Sequence, residues 1–322
     1  MRIFLLGGGS WGRRKGLKKN KHSIYMDIEQ GAEEIVKAIT QALQGKQGLL
    51  VGRNGTIELE TLFFKLFQSK PQQMYPSAIQ RQMELNAGIF PPTQISLDRW
   101  VFSMTEAIRN CDVLVAGWYK PLEQQELAIL ENLNKFAPRI PLRSLEPYYV
   151  EPSKRWTNLL RGQKVAIVNA FAETAVSQTN NREEIWPVAT ETLLPADVEW
   201  IPFRTGYSPS LAQGSAEWPS DIQSWDVAVS SLLRQIKASG ARIALIGCGG
   251  MGMILGSELR KQGIIAIVLG GALQVLFGIK GNRWANHSVI QHFWNDAWVY
   301  PTPKETPKGA WRIENGCYWK KN

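Results

Sequence analysis

Three cysteines, Cys111, Cys248 and Cys317, are widely spaced, odd in number and without a CxxC pair. That excludes a disulfide framework and a cysteine zinc site, and it fits a reducing cytoplasm. Histidine is equally scarce: His287 and His292 have no third ligand at a recognisable spacing, so both read as packed or surface residues rather than zinc ligands. No apolar run approaches the roughly twenty residues of a membrane-spanning helix. The opening MRIFLLGGGSWGRRK places its charges after a very short apolar run, which is the wrong order for a secretory signal. No repeat of fixed period is visible.

What remains is an ordinary globular composition, 44% apolar and 20% charged, with seventeen prolines and thirteen tryptophans in 322 residues. The tryptophans are many for this length and can line a site or an interface. The formal net charge is +9, and Arg13, Arg14, Lys15, Lys18, Lys19 and Lys21 supply six of those charges in one run. Residues 1–22 read as a solvated basic arm, or as a contact for phosphate, nucleic acid or an anionic membrane surface. No specific nucleic-acid partner is expected, and membrane contact is expected only peripherally through this arm.

Along the chain, helical and strand patterns alternate. A helix is predicted from Gly31 through Ile35, Val36, Ile39 and Leu43 to a stop at Gly45, then a short buried strand over 48–52 and a helix through Leu59, Leu62, Phe63 and Leu66. Helices over 77–85 and 96–110 follow, then a strand over 112–118, a helix over 121–136 and a strand over 140–145. The second half continues with a strand over 164–170, a helix start over 171–178, a strand over 198–203, a long linker over 204–220 and a helix over 221–239. This rhythm predicts an α/β, Rossmann-like fold: a mostly parallel sheet with helices on both faces, plus an aromatic- and proline-rich C-terminal segment. The domain spans 23–322, with halves of about 23–160 and 161–285 and an extension over 286–322.

The stretch 242–284 is one βαβ unit, and its first turn spells Gly247-x-Gly249-x-x-Gly252, with Gly250 between. The spacing matches the dinucleotide fingerprint. That reading also needs an acidic residue near the end of the second strand, where Gly270 and Gly271 stand instead, followed by Ala272, Leu273 and Gln274. Beyond a short helix over 274–277, Lys280, Arg283 and Trp284 can hold a diphosphate and stack on a base or sugar. They can equally be two solvated cations and a packed indole.

A second turn of interest is Gly52-Arg53-Asn54-Gly55-Thr56-Ile57-Glu58, where a strand hands over to a helix. Free N–H groups and the positive end of a helix dipole suit a phosphate there. Arg53 adds a fixed charge, and Glu58 can ligate a cation or act as a base. Structurally, Thr56 can be a plain N-cap and Glu58 a residue that favours the dipole.

These pieces together resemble the glycosyltransferases of the GT-D fold type. They are GRNGTIEL, NAGIFP, DVLVAGW, SLEPYY, NAFAETAVSQ, and IGCGGMG with LGGALQVLFGIKGNRW, in that order from about Gly48 to the C-terminus. The resemblance implies transfer of a sugar from a nucleotide-sugar donor to a hydroxyl acceptor on a glycan or glycoconjugate, as in polysaccharide biosynthesis. In that family an Asp-x-Glu pair binds the Mg²⁺ or Mn²⁺ that carries the donor diphosphate; here Thr56 replaces the aspartate and Glu58 alone matches. The expected site therefore comprises Glu58 and Arg53 as reacting groups, Glu58 as a lone metal ligand, and Glu146 and Glu151 as reserve bases. Gly52, Asn54, Gly55, Thr56, Gly247, Gly249, Gly250, Gly252, Gly270, Gly271, Gln274, Lys280, Arg283 and Trp284 are expected around the donor. The competing readings are an NAD(P)-dependent oxidoreductase and a non-catalytic sugar-nucleotide or glycan-binding protein.

Overall fold

The computed structural model describes residues 26–117, 119–135 and 139–320. The basic arm over 1–22, Trp118 at the end of one predicted strand and Phe136 at the end of one predicted helix lie outside the described residues. Among the described residues six strands are formed: β1 (Leu49–Arg53), β2 (Val113–Val115), β3 (Lys164–Asn169), β4 (Glu199–Arg204), β5 (Ile243–Gly247) and β6 (Ile265–Val268). They make one sheet in the order β2-β1-β6-β5-β3-β4, and every pairing is parallel. A parallel sheet is covered on both faces, so its inner strands must be apolar throughout rather than alternating. Ile243, Ala244, Leu245 and Ile246 of β5 and all four residues of β6 are accordingly buried. The two predicted halves meet edge to edge where β1 pairs with β6, Leu50 opposite Ala266.

Two cores lie on either side of this sheet. On one, Leu59 and Leu62 of the Thr56–Phe63 helix pack with residues of the Gln94–Asn110, Trp225–Ser239 and Gly252–Lys261 helices. On the other are Ile35 and Ile39 of the Ile28–Gln44 helix, Ala172 and Ala175 of the Ala172–Gln178 helix, and the Ala272–Leu276 helix. The C-terminal extension covers this second face with short 3-10 turns, burying Trp298, Ile313 and Trp319. It is tied down by Glu305, which accepts from the Thr174 N–H at 3.1 Å and the Thr174 hydroxyl at 2.5 Å.

Helix faces and strand order together create the crevice. The helices that follow β1 and β5 pack on one face, and those that follow β6 and β3 pack on the other. Since the sheet order is β1-β6-β5-β3 across the middle, each adjacent pair sends its chains to opposite faces. Such switch points open a crevice at the carboxyl ends of the strands, and here three stand side by side.

Three predicted elements differ in the structure. The strand over 140–145 is absent: Ile140 makes one isolated bridge to Val115, and Leu142–Leu145 is a single helical turn. Pro141 lacks the N–H a ladder needs, and Ser144 donates its hydroxyl to the Ile28 carbonyl at 2.8 Å instead. The strand over 112–118 shrinks to Val113–Val115 because its ends are held by side chains: Arg260 pairs with Asp112 at 2.6 Å, and Glu126 accepts from the Gly117 N–H at 3.0 Å. The helix over 121–136 is limited to Glu123–Asn132 by a 3-10 turn at Lys120–Leu122 before it and a left-handed Asn134 after it. No helix among the described residues is long and apolar enough to cross a membrane.

Candidate active site

The crevice is a cleft of about 200 Å³. That is smaller than the roughly 300–1,000 Å³ of pockets that enclose a drug-sized ligand, so a bulky ligand would leave part of itself in solvent. Its walls come from the ends of β1, β3, β5 and β6, the loop after β4, the Asn86–Gly88 turn and the C-terminal extension.

At the end of β1, Arg53, Gly55, Thr56 and Glu58 line the cleft. Gly55 is the N-cap of the Thr56–Phe63 helix and offers no side chain to cap it. A Cβ at residue 55 would overlap the Glu58 carboxyl, so the bare glycine lets this carboxyl fold back over the helix start. Glu58 is 9% exposed. Burial pushes its carboxyl above the usual carboxylate range and Glu314 adds to this, while the Glu58 backbone N–H and the Arg53 charge oppose it. Asn54 turns the other way: it is fully buried and donates to Glu126 at 3.0 Å, outside the cleft lining. Gly52 also lies behind the wall, where a Cβ would overlap Met253 Sδ. The Arg53 guanidinium has neither a hydrogen bond nor an ion pair among the described residues, while its backbone pairs with Val115 in the sheet.

The glycine turn after β5 is divided between cleft and core. Gly247, Cys248, Gly249 and Met251 line the cleft, whereas Gly250 and Gly252 do not. The Gly250 N–H donates to the Ala87 carbonyl at 2.8 Å and the Gly252 N–H to the Gly249 carbonyl, so neither is left for a phosphate. Gly249 has φ +58°, and a Cβ there would come within 2.7 Å of the same Ala87 carbonyl. Gly252 packs against Val268 and Ile246. This turn is therefore largely a docking point for the NAGIFP segment, reinforced by Trp100 Nε1, which donates to the Gly250 carbonyl at 2.9 Å.

The third wall is the Gly270-Gly271 turn after β6. Arg53 lies against Gly270, and Arg283 lies against Gly271, where a Cβ would come within 3.2 Å of Arg283 Nη1. Two guanidinium groups from positions 230 residues apart thus meet on adjacent residues. Arg283 stacks 4.6 Å above the Tyr318 ring and 5.6 Å from Trp284, and its Nη2 pairs with Glu314 at 2.6 Å. Trp284 is buried and supports Gly271 and Gly281 from behind. Lys280 lies outside the cleft lining, 5.9 Å from the Trp294 ring. Gln274 lines the cleft and is held by two donations from Nε2, to the Lys280 and Tyr318 carbonyls, both at 2.9 Å. Its Oε1, Thr56 Oγ1 and Asn86 Oδ1 are buried oxygens of cleft residues without a hydrogen-bond partner.

The reserve bases are placed differently from one another. Burial raises the Glu146 carboxyl to about 7, against the pull of Arg53, Arg143 and the Tyr148 hydrogen bond. Glu146 lies outside the cleft lining but within the field of Arg53. Glu151 is exposed, accepts from Ser153 at 2.7 Å and has no part in the cleft. His287 caps a turn, its Nδ1 accepting from the N–H groups of Val289 and Ile290, each at 3.2 Å. All three cysteines are buried and unpaired, with their thiols pushed up to about 12 by burial.

The oxygen donors do not fit a Mg²⁺ or Mn²⁺ ion. Such an ion needs ionised carboxylates or equivalent hard oxygens around it. Of the two carboxylates that line the cleft, Glu58 is buried and Glu314 is already paired with Arg283, and two guanidinium groups lie on the same turn. Among the described residues no group of three His, Cys, Asp or Glu side chains is arranged to hold a metal.

Several wall residues were not singled out by the sequence reading. Asn169, at the end of β3, donates from Nδ2 to the Gly247 carbonyl at 2.6 Å and accepts from the Phe171 N–H at 2.8 Å, and so ties the β3 and β5 turns together. Thr205, Gly206, Tyr207 and Ser208 belong to the predicted linker, while Glu314 and Tyr318 belong to the tail. The hints available were Asn169 opening the NAFAETAVSQ motif at the end of β3 and the length of the 204–220 loop.

No protein-family model matches the chain, and no curated protein matches it. A solved structure of a selenomethionine-substituted domain of unknown function 1792 (DUF1792) is similar at TM-score 0.44 and 13% identity, over 88% of this chain and 93% of that chain.

Proposed function

We propose that the cleft binds a nucleotide sugar through its diphosphate, and that the protein is a glycosyltransferase acting on a hydroxyl acceptor in glycan or glycoconjugate synthesis. The carrying observation is the meeting of Arg53 and Arg283 on Gly270 and Gly271 at the carboxyl ends of the strands. Two forked guanidinium groups match the oxygens of two linked phosphates. The glycines allow backbone and ligand to approach closely. The orphan oxygens of Thr56, Asn86 and Gln274 suit a ligand rich in hydroxyl donors.

In the reaction, the acceptor oxygen attacks the anomeric carbon and the bond from that carbon to the phosphate oxygen breaks. The electron pair leaves with the nucleoside diphosphate, whose growing charge Arg53 and Arg283 stabilise. Glu58, the buried carboxyl on the cleft wall, takes the acceptor proton. A raised proton affinity brings a carboxylate closer to the value that suits a base at neutral pH. No step requires a divalent cation. A cytoplasmic location, where nucleotide sugars are available, accords with this reading.

Thermal-shift screening against UDP- and GDP-sugars, free UDP and GDP, and NAD(P) tests the proposal. Stabilisation by a sugar nucleotide, with its slow hydrolysis abolished in Glu58→Ala, is the expected result. A shift with NAD(P) alone overturns it.

A further inference from the structure

Arg283 and Glu314 both line the cleft, and the pair between them is 2.6 Å long with side chains 30% and 38% exposed. Glu314 is not held there by an easy backbone. Residues 314, 315 and 316 have φ of 44°, 57° and 72°, three successive left-handed residues of which only the last is glycine. Non-glycine residues enter that region at a cost and persist where surrounding contacts hold them. The backbone of this turn is closed by the Gly316 and Cys317 N–H groups on the Ile313 carbonyl, and the Glu314 carboxylate is held by Arg283, against Gly271 and above Tyr318, and by the Cys317 thiol. Arg53, on the neighbouring glycine, makes no such ion pair, although Glu58 and Glu146 lie within its field. The two cations of the cleft are therefore unequal: one is open and the other already carries a carboxylate.

We infer that Glu314 is the resident counter-anion of the diphosphate site, an affinity-setting residue whose carboxylate must leave Arg283 before a phosphate can take its place. The inference rests on the reading that the cleft takes a diphosphate. A ligand enters through Arg53 first and completes its contacts by exchanging with Glu314. The exchange lowers net affinity, because the energy of the new phosphate contact is offset by the lost carboxylate contact and by repulsion between Glu314 and the phosphate.

The test is isothermal titration with inorganic pyrophosphate at fixed ionic strength, on the full chain, comparing wild type, Glu314→Gln and Glu131→Gln. Glu131 is exposed and outside the cleft, so it controls for a plain change of net charge. The expected result is that Glu314→Gln tightens pyrophosphate binding about fivefold, as loss of a partly exposed competing pair implies, while Glu131→Gln leaves it unchanged. Glu314→Ala, checked with Glu314→Gln for native near-ultraviolet circular dichroism, is the second variant and is expected to behave alike. Unchanged or weaker binding in the Glu314 variants, or equal tightening in Glu131→Gln, overturns the inference. Absence of pyrophosphate binding in every form overturns it together with the diphosphate reading. Pyrophosphate binding with the expected response, but no binding of any nucleotide sugar, leaves the inference standing and removes the transferase.

Discussion

The guanidinium of Arg53 occupies the space that a side chain at Gly270 would fill: a Cβ there would overlap Arg53 Nη2. Gly270 also has φ +58°. One residue therefore meets two demands, a left-handed turn after β6 and a seat for the cation that ends β1.

Gly270→Ala separates these demands. The guanidinium is the far end of a flexible side chain and moves aside, while the left-handed backbone costs about 1–2 kcal/mol for a residue with a Cβ. The expected outcome is a folded protein with a lower melting temperature that has lost most of its affinity for UDP and pyrophosphate. Native affinity in Gly270→Ala would show that the seat is unimportant.

Arg53→Gln removes the cleft cation that makes no ion pair among the described residues. A hydrogen bond to a charged group contributes about 1.5–3 kcal/mol, so pyrophosphate affinity is expected to fall roughly tenfold to a hundredfold, read by isothermal titration. Arg53→Lys restores only part of it, because a point charge does not reproduce the fork.

Diphosphate binding is expected to be independent of divalent metal. Since the oxygen donors fit Mg²⁺ and Mn²⁺ poorly, replacing Mn²⁺ with EDTA should change the pyrophosphate dissociation constant by less than about twofold. A large loss in EDTA means that carboxylates reorganise around a cation when ligand binds.

Glu146 predicts a pH dependence of stability. Its carboxyl is raised by burial from 4.5 to about 7, so the folded state favours the protonated form. That contribution is complete below about pH 4.5 and is lost as pH rises through about 7. Glu146→Gln, permanently neutral, should therefore gain stability relative to wild type between pH 5 and pH 8, on the order of 2 kcal/mol. Urea unfolding at both pH values measures it, and a difference independent of pH would mean that Glu146 is solvated.

Much of the fold was legible in the chain because it is written in local spacing. Helical periodicity placed the helix from Gly31 and the one over 77–85, continuous apolar runs placed β5 and β6, and glycines marked the turns after them. Local reading failed where a distant side chain overrode it. The Ile28 carbonyl, accepting from Ser144, helped to turn a predicted strand into a helical turn, and Glu126 drew Asn54 away from the cleft and held Gly117 beyond a shortened β2.

By itself the sequence determined the α/β class, the strand-to-helix turn at Arg53 to Glu58 and the absence of an acid after β6, since each depends on residues a few positions apart. Only the tertiary structure decided which of those residues share a site. The sheet order sets β1 beside β6 and so carries Arg53 to Gly270, while the extension folding back over the second face brings Arg283, Glu314 and Tyr318 to the same turn. Strand order and the return of a tail are set by burial of the whole apolar surface, which no short window of sequence contains.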